Sequence, residues 1–134
     1  MKNKDLAGCI LVDKKNNVLL QKKTLDYKIA PGGYWCIFGG EIKKGETPEQ
    51  AVIREVAEET GYVINNQKLF CTKDYVLKNG EHGKLYAFTA PFNGNLSQIS
   101  LREGAGFAFF SASELSFIKV IETSLDVLKE YFKI

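Results

Sequence analysis

Among 134 residues the sequence has one histidine, His82, one tryptophan and one methionine. A lone histidine rules out, within one chain, a histidine triad or a metal site built on several imidazoles. Any metal here would be held by oxygen, which favours Mg²⁺ or Mn²⁺ over zinc. The three cysteines, Cys9, Cys36 and Cys71, are odd in number, widely spaced and form no Cys-x-x-Cys. They read as reduced thiols of a cytoplasmic protein, with neither a disulfide framework nor a zinc site. Long apolar runs are missing too. The stretch from Ala7 to Val12 is broken by Asp13, too short for a signal-peptide core or a membrane span. A net charge of +2 is too small to argue for nucleic acid or an anionic membrane as partner. Repeats, linkers and low-complexity runs are absent as well.

What is present is globular. Hydrophobic residues make up 45% and charged residues 25%, and the length suits one domain over residues 1–134 with a single core. Residues 6–12 and 17–22 are apolar and β-prone around a polar turn, which predicts a β-hairpin. A loop over 23–33 leads to a short strand from Tyr34 to Phe38. Strands are expected again over 62–64, 69–77, 84–92 and 106–110, with loop from 93 to 102. Ser111-Ala112-Ser113-Glu114 begins a short helix. Ile121, Leu125, Leu128 and Phe132 recur at helical spacing, so an amphipathic helix closes the chain over 121–133. Mixed strands with two main helices read as an α+β layered domain.

The chemistry gathers between Gly39 and Gly61. Thr47 is a good N-cap, Pro48 suits the first helical position, and Gln50 completes a capping box. Gly61 supplies a left-handed stop, so a helix is predicted over 48–60. At about 100° per residue, Glu55, Glu58 and Glu59 share one arc, with Val52, Val56 and Ile53 beside them as an apolar stripe. Three carboxylates so close repel one another, and a divalent cation would offset that repulsion. An ordinary solvated, Glu-rich helix face is the plainer reading, but the glycine pair before the helix, Glu46 just before the cap and Arg54 beside the first acid argue against it.

Together these residues resemble the Nudix hydrolase signature, G-x5-E-x7-R-E-U-x-E-E-x-G-U, where U is a bulky aliphatic residue. Gly40, Glu46, Arg54, Glu55, Val56, Glu58, Glu59 and Gly61 match at the required spacing, and Tyr62 is a mild departure at the last position. Ile37-Phe38 stand where the family has Leu-Pro. The resemblance implies an α/β/α sandwich around a mixed β-sheet. It implies Mg²⁺, with Mn²⁺ as substitute, on Glu55, Glu58, Glu59 and the carbonyl of Gly39. The activity implied is hydrolysis of a phosphoanhydride bond in a nucleoside diphosphate linked to another group. Arg54 would orient Glu55, and Glu46 would brace the loop. The general base is either Glu55 or a glutamate from a loop beyond the sheet, for which Glu103 is best placed. Arg102 beside it is one of only two arginines among eighteen basic residues, and its guanidinium suits phosphate.

Substrate choice is less legible. Phe38, Tyr34, Tyr86 and Phe107 have the shape to stack a base, though aromatics at strand spacing are more often core. The partner expected is a small nucleotide, with no membrane partner, and a homodimer is compatible with the sequence. Two other functions fit the same residues: a nucleotide-sensing module without catalysis, and an enzyme acting on RNA 5′ ends, which the small net charge disfavours.

Overall fold

The computed structural model of the protein describes residues 3–25, 32–77, 79–100 and 104–134. The hairpin forms as expected from β1 (Leu6–Val12) and β2 (Val18–Lys22). Its turn is fixed by Asp13, whose Oδ1 accepts from the Lys15 and Asn17 amides at 2.9 and 2.8 Å. Asn16 there takes a left-handed φ of 64°, a conformation asparagine tolerates better than most residues. The expected strand over 34–38 is instead two, β3 (Trp35–Cys36) and β4 (Phe38–Glu41), broken at Ile37. Helix α1 spans Pro48–Thr60, and the Thr47–Gln50 capping box and the left-handed Gly61 both form.

Residues 62–64 are not a strand. The Tyr62 amide is taken by the Thr60 hydroxyl at 3.0 Å, and Ile64 is buried as an anchor under the loop. Strands β5 (Lys68–Val76) and β6 (His82–Pro91) form the second hairpin, followed by β7 (Gly106–Phe110). The helix expected to begin at Ser111 is a 3₁₀ turn over Ser113–Phe117, and helix α2 spans Glu122–Phe132.

The sheet is mixed. Strand β1 runs parallel to β6, while its other pairings, and those of β2 and β5, are antiparallel. Side chains alternate across β1, so Ala7, Cys9 and Leu11 face one core and Ile10 the other. Val52 and Val56 of α1 complete the first core, and Val127 and Leu128 of α2 complete the second. Each of these four is fully buried, a gain of about 1.5–3 kcal/mol per side chain. The result is the layered α/β/α arrangement.

The register of β1 and β2 sets the place of the site. The two strands pair only at their hairpin end, Leu11 with Leu19 and Val12 with Val18. Beyond that they diverge. Strand β4 takes the β1 edge from Leu6 to Cys9, and β3 takes the β2 edge at Gln21 and Lys22. Ile37 carries the chain across the gap. The sheet therefore forks, and the C-terminal end of α1 sits over the fork.

Candidate active site

The glycines of β4 are required by what lies against them. A side chain at Gly39 would collide with the Ala7 carbonyl of the paired strand. A Cβ on Gly40 would stand 2.5 Å from the carboxyl carbon of Glu55. The glycine pair thus lets α1 bring its acids directly onto the strand backbone.

Glu59 enters the fork itself. It is only 2% exposed, because its position in α1, seven residues beyond Val52 and three beyond Val56, makes it part of the buried stripe. The Gly39 amide donates to its Oε1 at 2.8 Å, and Gln21 Nε2 donates to its Oε2 at 2.9 Å. Burial pushes the Glu59 carboxyl up to about 7, against the opposing effects of Gln21, Lys23 and Gly39. The nearby charge of Glu55 pushes in the same direction as burial.

Arg54 organises the remaining acids. Its Nε and Nη2 reach the two oxygens of Glu46 at 2.6 and 2.9 Å, and its Nη1 reaches Glu55 Oε1 at 2.9 Å. Nη1 also lies 3.3 Å from Glu58, and Nη2 donates to the Glu41 carbonyl at 3.0 Å. Glu46 in turn accepts from the Lys43 amide at 2.9 Å, closing the loop before the helix. The hydrogen bond from Arg54 holds the Glu46 carboxyl down at about 2, and Glu46 in return raises the Arg54 guanidinium. So Arg54 does hold Glu55, as the resemblance implies, and it holds Glu46 more completely.

The three helix acids differ in surroundings. Glu59 is buried, the Glu55 side chain is 17% exposed, and the Glu58 side chain is 50% exposed. Among the described residues no group of three or more Asp, Glu, His or Cys side chains is arranged to hold a metal ion. The donor set nevertheless suits a hard cation in kind. Glu59 and Glu55 flank the Gly39–Gly40 backbone, and what these four residues offer a cation is carboxylate and carbonyl oxygen. Cys9 and Cys36 are buried thiols pushed up to about 12 by burial, which makes them inert packing groups.

A cavity of about 210 Å³ adjoins β4, lined by Lys23, Ile37, Gly39, Tyr75, Leu85 and Ser124 among others. Phe38 borders it, while its side chain is fully buried in the α1-side core, as the packing reading has it. Tyr34 and Tyr86 do not line it. The Tyr34 ring lies 5.9 Å from the Lys119 ammonium, and Tyr86 and Phe107 pack on the α1-side core. Arg102 and Glu103 lie outside the described residues. Sequence reasoning missed Gln21, Tyr75 and the contact of Glu59 with the Gly39 amide. The spacing of Val52, Val56 and Glu59 was the available signal that Glu59 turns inward.

Comparison with known proteins is consistent with this site. The family model described as NUDIX domain matches residues 2–131. The chain is 39% identical over 67 residues to an 8-oxo-dGTP diphosphatase of Proteus vulgaris, covering 50% of this chain and 58% of that protein. It is 32% identical over 94 residues to an NAD-capped RNA hydrolase NudC of Haemophilus influenzae, covering 70% of this chain and 33% of the relative. The chain thus spans about a third to three fifths of these curated relatives. In fold it resembles a MutT NUDIX hydrolase of Burkholderia pseudomallei, with TM-score 0.83 at 22% identity over 96% of this chain and 98% of that one. It also resembles the NUDIX domain of Shewanella oneidensis NrtR, crystallised with ADP ribose, with TM-score 0.80 at 18% identity over 99% of this chain and 88% of that one. No helix among the described residues is long and apolar enough to cross a membrane. With the family model covering nearly the whole length and the signature residues converging on one loop and helix, the chain belongs to the NUDIX family.

Proposed function

We propose that this chain is a Mg²⁺-dependent hydrolase, with Mn²⁺ as substitute, that cleaves a phosphoanhydride bond in a nucleoside diphosphate linked to another group. The observation that carries the reading is the buried Glu59 carboxylate, held by neutral donors against the Gly39–Gly40 backbone with Glu55 alongside. Packing alone would favour an apolar side chain in that place, because burying a carboxylate carries a desolvation penalty, and buried carboxylates of raised pKa gather at functional sites. Glu55, Glu58, Glu59 and the Gly39 carbonyl are the groups that would hold the cation. When bound, it would neutralise phosphate charge and lower the pKa of an attacking water.

The rest of the mechanism belongs to the chain's own residues. Arg54 fixes the rotamer of Glu55 and, through Glu46 and the Glu41 carbonyl, the shape of the loop in front of it. Glu55 or Glu103 accepts the proton of the attacking water. The cavity beside β4 receives the nucleoside side of the substrate among largely apolar groups, with Thr123 and Ser124 among the polar residues that line it.

A non-catalytic nucleotide-sensing module is the second reading, favoured by the half-exposed Glu58 and the absence of a three-acid cluster among the described residues. One experiment separates the two. Nucleoside triphosphates, nucleotide sugars, ADP-ribose and NAD-capped RNA are incubated with Mg²⁺ or Mn²⁺, and products are identified by mass. Turnover that Glu59→Gln abolishes supports the hydrolase; binding without turnover supports the sensor. Glu103→Gln then decides the base: a rate lower by about 10²-fold or more assigns it to Glu103, and an unchanged rate to Glu55.

A further inference from the structure

The fork between β1 and β2 contains a side chain that the hydrolase reading leaves without a task. Gln21 is wholly buried, and its backbone is locked on both edges, opposite Cys36 of β3 and Phe107 of β7. Its Nε2 donates to Glu59 Oε2 at 2.9 Å and lies 3.5 Å from the Ile37 carbonyl. Its Oε1 is buried with no hydrogen-bond partner among the described residues. An unmatched buried acceptor is unfavourable, so an aliphatic residue would suit this strand better if packing were all that mattered.

We propose that Gln21 is a positioning residue for the cation-binding carboxylate of Glu59, a proposal that rests on the reading of Glu59 given above. One neutral donor meets each carboxylate oxygen: the Gly39 amide on Oε1 and Gln21 Nε2 on Oε2. Two such contacts fix the plane of the carboxylate while leaving a lone pair on each oxygen. Neither donor carries a charge, and Lys23 is the cation whose field acts on the carboxylate. Glu46 and Glu55 are treated differently, since the Arg54 guanidinium matches their charge directly. A carboxylate oriented by amides keeps its full attraction for an incoming cation, and groups that orient metal ligands in this way commonly set affinity.

The test titrates Mn²⁺ into nucleotide-free protein and follows free Mn²⁺ by electron paramagnetic resonance, with thermal midpoints measured in chelator on the same samples. Gln21→Met removes the donor at similar volume, and Gln21→Asn keeps an amide too short to reach Glu59. Both should weaken Mn²⁺ binding by about 10- to 100-fold. Wild-type affinity in both Gln21 variants, with Glu59→Gln weakened, overturns the proposal and leaves the reading of Glu59 standing. A lowered thermal midpoint at unchanged affinity means a packing role and likewise overturns it. If wild type and Glu59→Gln bind Mn²⁺ alike, the reading of Glu59 itself fails, and the proposal with it. Should Gln21→Met not fold, Gln21→Asn carries the same expectation.

Discussion

Glu59→Gln offers a direct measure of what the buried carboxylate costs the metal-free fold. Burial raises the Glu59 carboxyl from an ordinary 4.5 to about 7. Below 4.5 the group is protonated in both native and unfolded chains, and it adds nothing to the pH dependence. As pH rises from 4.5 to 7 the unfolded chain releases its proton while the native protein keeps it, so stability falls with pH across that window. Above about 7 the native protein carries the buried charge, and the penalty stays constant. At about 1.4 kcal/mol per pH unit, the full penalty is about 3 kcal/mol, of which about 2–3 kcal/mol develops between pH 5 and pH 8.

The substitution itself disturbs little. The introduced glutamine side chain would keep an oxygen for the Gly39 amide, and its new NH₂ would face Gln21. The Gln21 amide, whose Oε1 has no partner among the described residues, can turn over and accept from it. The assay is urea unfolding in chelator, for both proteins, at pH 5 and pH 8. Wild type should lose about 2–3 kcal/mol more than Glu59→Gln between those two values. Added Mg²⁺ at pH 8 should restore wild type and leave the variant unmoved. Equal pH dependence in the two proteins would refute the argument, because it would mean that the Glu59 charge is already compensated without a cation.

Three further outcomes follow from the same contacts. Gly40→Ala places a methyl group 2.5 Å from the Glu55 carboxyl carbon, so it should cut cation-dependent turnover by at least about 10-fold with an unchanged circular dichroism spectrum. Arg54→Lys loses the fork that spans Glu46 and Glu55 together; steady-state kinetics should show a fall in kcat of about 10²-fold with a smaller change in KM. Thr47→Ala removes the acceptor for the Gln50 amide, and thermal or urea unfolding should register a loss of about 1 kcal/mol with turnover unchanged at low temperature.

Local chemistry explains why α1 was legible residue by residue. Its start and stop depend on Thr47, Pro48, Gln50 and Gly61, all within one turn of the ends they set. The β1–β2 hairpin was legible for the same reason, since Asp13 closes its turn from two and four residues away. The break at Ile37 was not, because it depends on a partner distant in sequence, and the loss of strand over 62–64 was not, because the Thr60 hydroxyl takes the Tyr62 amide, a contact that the apolar pattern does not signal. Ile37 donates its amide to the Ser124 hydroxyl, 87 residues on, and the forking of the sheet leaves it between two edges.

The site divides along the same line. Arg54, Glu55 and Glu46 could be related on paper because helical spacing and a short loop join them. Helical spacing also put Glu55, Glu58 and Glu59 on one arc, yet the three are not equivalent. Glu58 takes the solvent side with half its side chain exposed, whereas Glu59 extends the row begun by Val52 and Val56. A carboxylate on an apolar row is the mark of a group whose burial must be supported from elsewhere. The support comes from β2, where Gln21 lies 38 residues away and carries no local sign of its role. No periodicity within α1 or β2 specifies that meeting. It exists because β1 and β2 separate after two paired residues and leave a gap that an acid and an amide fill together.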